Sequence, residues 1–260
     1  MFEVVEPTRI LKKFITNYNI VEINNSIDYL PRERVFPYGH VIMVFHYGSP
    51  SKFQKKNSSE YIEPRLVLCG QQTSYYDLSL SGKTGMIFVT FKPHGTKSFF
   101  NFPISELLNE NLSMEDLMKK EAVELEDRLS NSINNAQRIF YLESFLMKKL
   151  VINKDFERVE HTIKMVENAK GQIKIQSLAQ ETCLGIKQFE RVFSKNVGLN
   201  PKKYISIVKL QHIMQMKKKF SNVNLYQLAF ENGYFDQAHF VHDFKNLTGL
   251  TPSAFFKASL

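Results

Sequence analysis

LYQLAFENGYFDQAHFVHDFKNLTGLTPSAFF, residues Leu225 to Phe256, decides the fold of the second half of this chain. Leu225, Leu228 and Ala229 recur at the spacing of one helical face. Gly233 follows, and a residue that tolerates positive φ is favoured just past a helix end. Asp236 then offers a carboxylate to the free amides that begin a second helix. That helix turns Phe240, Phe244 and Leu247 to one side, spaced four and then three residues apart. Gln237, Ala238, Val241, His242 and Lys245 fall on the other. Two short amphipathic helices around a tight turn predict a helix–turn–helix, with the second helix suited to a DNA groove.

Upstream the pattern occurs once more. LAQETCLGIKQFERVFSKNVGLNPKKY (178–204) aligns with LAFENGYFDQAHFVHDFKNLTGLTPSAF (228–255). Leu178 and Ala179 match Leu228 and Ala229, Phe193 matches Phe244, Gly198 matches Gly249, and Pro201 matches Pro252. Ile175 to Thr182 therefore reads as a first helix, and Lys187 to Asn196 as its partner, burying Phe189, Val192 and Phe193. Asn200 and Pro201 read as N-cap and first position of a helix running to about Lys219. At about 1.5 Å per residue that connector is roughly 28 Å long. Major-groove faces recur every 34–36 Å or so, the scale on which a rigid connector presents two recognition helices to one duplex. Before this tandem, Phe156, Val159, Ile163 and Val166 mark a helix that stops at Gly171. Asn153-Lys154-Asp155 is the expected domain boundary.

Charge follows the same division. From Asp155 onward there are fifteen Lys or Arg against nine Asp or Glu, whereas the first 154 residues hold nineteen against seventeen. The formal net charge of +8 thus sits mostly in the C-terminal part, as expected of a nucleic-acid-binding half. A hydrophobic content of 43% with 23% charged residues describes a globular chain and excludes a disordered one. Cys69 and Cys183 lie far apart without a CxxC partner, so each reads as a small buried hydrophobe and no disulfide framework follows. MFEVVEPTRILKK lacks the apolar run of a signal peptide, and no segment approaches the roughly 18 apolar residues of a membrane span. The expected location is the cytoplasm, with no membrane partner.

The first half reads as strands. Val41 to Phe45, Leu66 to Cys69, Ser74 to Leu80 and Gly85 to Phe91 are short apolar or alternating runs between turn residues, predicting a small sheet or barrel over 1–112. Ser51 to Ser59 reads as a polar hairpin tip or loop. His40, His46 and His94 raise a metal site, but no HxH pair or matching carboxylate supports one. G-x-S-x-G, HExxH and a phosphate-cradling Gly-rich loop are all missing, so no enzyme activity is expected. From Ser113 the pattern turns helical. Ser113 and Asp116 resemble a capping start, Leu117, Leu125 and Leu129 continue a face, and Asn134 or Asn135 precedes a second helix. Residues 113–154 are a helical linker, a cover over the first domain, or a dimerisation hairpin.

Residues 155–260 resemble the DNA-binding domain of AraC/XylS-type transcriptional regulators, through the GYFDQAHFVHDFKNLTGLTPSAF run and the tandem arrangement. The first half more loosely resembles the cupin-like sensor domain of one branch of that family. Pro37-Tyr38-Gly39-His40 before a strand, Cys69-Gly70 and Phe91-Lys92-Pro93-His94-Gly95 carry that likeness. The resemblance implies an α+β chain, a small cupin-like β-barrel with trailing helices followed by an all-α tandem helix–turn–helix domain. It implies a sequence-specific regulator, commonly an activator, that binds double-stranded promoter or operator DNA and works with RNA polymerase. A small-molecule effector, a homodimer, or both are implied for the first half, and no cofactor.

Base contacts carried over from the family fall on Lys187, Glu190 and Arg191 in the first recognition helix, and on Gln237, Ala238 and His242 in the second. Arg191 suits guanine, Gln237 adenine, and Glu190 the cytosine amino group. Lys195 and Lys245 suit phosphates, and His239 either a phosphate or a packed position. His242 stands where many relatives carry Arg, which makes contact strength there sensitive to pH. Ile186 departs from the small or polar residues usual at its position. Tyr234, Phe240 and Phe244 are expected in the core. Two rival readings are a repair enzyme transferring an alkyl group to Cys69, and a ligand-binding protein whose helical half only dimerises. The first needs a thiolate activated by His or a metal, and the apolar Leu66-Val67-Leu68-Cys69-Gly70 run supplies neither.

Overall fold

A computed structural model describes residues 1–23, 32–80, 82–220 and 223–258. Two antiparallel sheets make the first domain. The larger contains β1 (Phe2–Val5), β2 (Ile15–Ile23), β4 (Ile42–His46), β7 (Leu66–Cys69), β9 (Thr84–Phe91) and β10 (Asn111–Ser113), in the order β1-β2-β9-β4-β7-β10. The smaller contains β3 (Glu33–Val35), β5 (Lys52–Lys55), β6 (Tyr61–Ile62) and β8 (Tyr76–Ser79), in the order β3-β8-β5-β6. One face of the central strands β4 and β9 carries Met43, Phe45, Ile87, Val89 and Phe91 into the main core. The opposite face buries Val44, Val67 and Met86 together.

The Ser51 to Ser59 stretch is not a loop throughout. Lys52–Lys55 is a strand paired with both β6 and β8, and Phe53 is buried against Tyr61 and Tyr76. A single apolar residue among lysines leaves no alternation to read, so only the structure reveals it. The turn is confined to the residues around Asn57, which takes a left-handed φ of 60°. Strand β2 was hidden for another reason. Its register against β9 shifts between Ile15 and Asn17, so Ile15, Tyr18 and Ile20 are buried at uneven spacing. A bulge inserts one residue and breaks the period of two.

Three helices follow β10: α1 (Met114–Met118), α2 (Lys120–Ser130) and α3 (Asn135–Lys149). Ser113 Oγ accepts from the Glu115 amide at 3.2 Å, and Asn134 Oδ1 accepts from the Gln137 amide at 2.9 Å, fixing two helix starts. Ala122, Leu125, Leu129, Leu142 and Leu146 pack into the same core as the sheet. Phe156, the first residue of α4 (Phe156–Asn168), joins them, its ring 5.0 Å from that of Phe14. Val159, Ile163 and Val166 of the same helix belong to the second core instead. One helix therefore ties the two domains.

The second core is shared by α4, α5 (Ile175–Glu181), α6 (Ile186–Val197), α7 (Pro201–Lys219), α8 (Leu225–Glu231) and α9 (Gln237–Thr248). Phe255 and Phe256 of α10 (Pro252–Ala258) pack against it. The repeat in sequence is a repeat in structure. Cys183 (φ 54°) and Gly233 (φ 79°) make the same left-handed turn after α5 and α8, and Gly198 (φ 91°) and Gly249 (φ 77°) end α6 and α9. Thr182 Oγ1 donates to the Leu178 carbonyl at 3.1 Å, while Asn232 Nδ2 donates to the Leu228 carbonyl at 2.8 Å. Different side chains thus satisfy equivalent carbonyls at the two helix ends. Cys183 is exposed, not buried as its residue type suggested, because the turn points it outward.

Two outcomes follow. A left-handed residue other than glycine costs roughly 1–2 kcal/mol, and glycine gives back about half of that as chain entropy. Cys183→Gly should therefore raise stability by about 0.5–1 kcal/mol, read as a higher denaturation midpoint at unchanged m-value; a lower midpoint contradicts the turn assignment. His94 packs edge-on against Phe156 with Nε2 3.3 Å from the Lys13 carbonyl oxygen, and burial lowers its pKa to about 4. The unfolded chain takes up that proton near 6.5 and the folded one only near 4. Stability should accordingly fall as pH drops from 6.5 to 4. His94→Gln should flatten that slope, and an equal slope in both proteins refutes the burial argument.

Candidate nucleic-acid interface

Helix α6 is set by Phe189, Phe193 and Val197, three buried residues at successive intervals of four. Its opposite side presents Lys187, Arg191 and Lys195 at the same interval, all exposed, with Glu190 half-buried beside them. Residues four apart are neighbours on a helix surface, so the three cations form one stripe. The start of α4 extends it. Lys154, Arg158 and the Asp155 that pairs with Arg158 at 2.9 Å line an open cleft together with Gln188, Arg191 and Lys195. Lys154 and Arg158 carry no local sequence signal for this role, because only the fold brings that boundary segment beside α6.

Helix α9 is built by the same rule. Phe240 and Phe244 are fully buried with Leu247 beside them, and Tyr234 and Phe240 pack edge-on with ring centres 5.2 Å apart. Asp236 Oδ1 caps the helix by accepting from the His239 amide at 2.7 Å. Gln237, Ala238, His239, His242 and Lys245 are exposed. The positions equivalent to Lys187, Arg191 and Lys195 are Ala238, His242 and Asn246, so the cationic stripe has no counterpart here. His242 is engaged within its own helix, its ring nitrogens 3.2 and 3.3 Å from Asn246 Nδ2. Asp243, which no sequence signal marks, lies 3.7 Å from His239 Nε2 and 3.8 Å from His242 Nδ1. Its carboxylate also accepts from Ser206 Oγ at 3.3 Å, pinning α9 to α7.

The far ends of α6 and α9 rest on the first domain. Gln71 is buried and donates from Nε2 to the Val197 carbonyl at 3.1 Å, satisfying a free carbonyl at the end of α6. A Cβ on Gly198 would meet Gln71 and Ile104 at 3.0 Å, and one on Gly249 would meet the Tyr75 ring at 2.3 Å. A single segment, 71–75, thus backs both helices. Nearby, Gln211 Nε2 of α7 donates to the Pro37 carbonyl at 3.1 Å, and the Phe36 and Phe255 rings are 5.2 Å apart. Between the domains Phe36, Pro37 and Tyr38 face Leu210, Met214 and Phe256 across a mainly apolar cleft of about 610 Å³.

The other titratable candidates lie elsewhere. His46 is fully buried in β4, 3.5 Å from Glu63, His94 lies at the α4 junction, and His40 stacks near Tyr38. Among the described residues no group of His, Cys, Asp and Glu is placed to hold a metal ion. Burial and the Glu63 carboxylate both push the Cys69 thiol up, which disfavours the thiolate that alkyl transfer requires. No described helix is long and apolar enough to cross a membrane.

Residues 3–113 match a family described as a domain of unknown function, DUF6597, and residues 178–258 match a helix-turn-helix domain family. An uncharacterized HTH-type transcriptional regulator of Haemophilus influenzae is 29% identical over 96 residues, covering 37% of this chain and 32% of that protein. The XylDLEGF operon transcriptional activator 1 of Pseudomonas putida is 30% identical over 103 residues, covering 39% and 30%. The match thus spans about a third of the length of these curated relatives. Among solved structures, ToxT from Vibrio cholerae aligns over 92% of this chain and 97% of its own, with a TM-score of 0.47 at 12% identity. With two left-handed turns, two glycine-ended helices and one connector between them, residues 178–258 form a tandem helix-turn-helix domain that matches the helix-turn-helix family and is similar in sequence to these transcriptional regulators.

Proposed function

We propose that this protein is a sequence-specific, DNA-binding transcriptional regulator whose first domain sets the placement of the two reading helices. The exposed stripe of Lys187, Arg191 and Lys195 on α6 is the observation that carries this reading. A helix of α6's width fits the major groove, and its solvent face is cationic where phosphates flank that groove. Arg191 pairs with guanine, Lys187 reads beside it, and Glu190 accepts from a cytosine amino group. Lys195, Lys154 and Arg158 hold phosphates and fix register. On α9, Gln237 reads adenine, Ala238 and His242 lie against bases or sugar, and Lys245 and His239 meet the backbone. More of the specificity rests on α6 than on α9.

The apolar cleft between the domains suits a small effector, since its occupant would touch the 36–38 segment and α7 together. Through segment 71–75 such binding would bear on both reading helices. Promoter DNA is the primary partner, with RNA polymerase and a second copy of the chain as further ones.

Binding to a duplex selected by the protein from a random library should weaken steeply with salt, log affinity falling linearly with log salt. Affinity that is flat in salt, or no selected duplex at all, overturns the proposal. Arg191→Ala should cost about 1–3 kcal/mol on the selected duplex and relax preference at one base pair. Equal loss on every sequence would make Arg191 a phosphate contact instead.

A further inference from the structure

The two turns differ by one residue. From the left-handed Cys183, the first passes through Leu184 to Gly185, which precedes α6; from the left-handed Gly233, the second passes through Tyr234 and Phe235 to Asp236. Leu184 and Tyr234 both turn into the shared core. Phe235 is therefore the added residue, and its side chain is 87% exposed. Turns favour Gly, Asn, Asp or Ser for conformational reasons that a phenylalanine does not serve. So exposed, it adds little to folding either.

Its position supplies a use. Phe235 immediately precedes the cap of α9, at the end that carries Gln237 and Ala238, and in helix–turn–helix proteins that end meets base edges. The α9 helix that follows it exposes His239, His242 and Lys245, which suit phosphates better than an apolar protein surface. Resting on the DNA-binding function proposed above, the geometry points to Phe235, with the Ala238 methyl, as a reader of thymine by apolar contact with its C5-methyl group in the major groove. The second helix thus replaces the missing arginine with shape.

Deoxyuridine removes only that methyl. A duplex selected by the wild-type chain is remade with deoxyuridine at each thymine in turn, and binding is compared with Phe235→Ala. The wild type should lose roughly fourfold at one or two thymines, the effect of unburying one methyl. Phe235→Ala should bind both duplexes alike there, at the wild type's affinity for the deoxyuridine duplex, with unchanged thermal unfolding. No methyl effect in the wild type, or the full effect retained in Phe235→Ala, overturns the inference. So does a variant with intact duplex affinity that fails only in transcription from a reporter promoter, which would assign Phe235 to a protein partner. Failure to select any duplex would instead remove the DNA-binding reading beneath it.

Discussion

Burial of one face of α7 is the constraint on which the rest depends. Tyr204, Ile207, Leu210 and Ile213 enter a single apolar core together with Phe189 and Phe193 of α6 and Phe240 and Phe244 of α9. Each such side chain contributes about 1.5–3 kcal/mol when removed from water, so neither reading helix can move without disturbing packing common to both. The Tyr204 hydroxyl donates to Glu167 at 3.1 Å, tying the connector to α4 as well. Two separate helix–turn–helices on a flexible linker would search DNA independently; these two are presented as one surface.

That surface is uneven by chemistry. Lys187, Arg191 and Lys195 on α6 correspond in the repeat to Ala238, His242 and Asn246 on α9. The first helix brings charge and bidentate hydrogen bonding, the second small and apolar groups with a carboxylate, Asp243, held against two histidines. On the function proposed above, α6 would anchor a complex with DNA and α9 would discriminate by fit. The first domain braces that surface, because Gln71 and Tyr75 occupy one short segment yet abut the ends of both helices.

The helical half was legible in sequence because each element carries its own signal. Period-3.6 apolar spacing, the capping Asn200 and Asp236, and glycine after each reading helix all agree with the structure. The first half was less so. The bulge in β2 breaks the alternation, and β5 has one buried residue among polar ones. The candidate site divides the same way. On α9 helical period placed Gln237, Ala238, His242 and Lys245 outward as the structure does, but Val241 packs against the core. The α6 positions came through the family resemblance, and Lys154 and Arg158 come beside them only through tertiary packing. Nothing local marks Gln71 or Tyr75 as supports either. Their role arises from distant segments meeting, which no periodicity records.

A hydroxyl-radical footprint on a selected duplex tests the joined arrangement of the two helices most directly. Two protected tracts should lie on one face of the DNA, about one helical turn apart. Arg191→Ala should weaken protection in one tract and Gln237→Ala in the other. A single tract, or both substitutions acting on the same tract, would contradict reading by two helices held to one core.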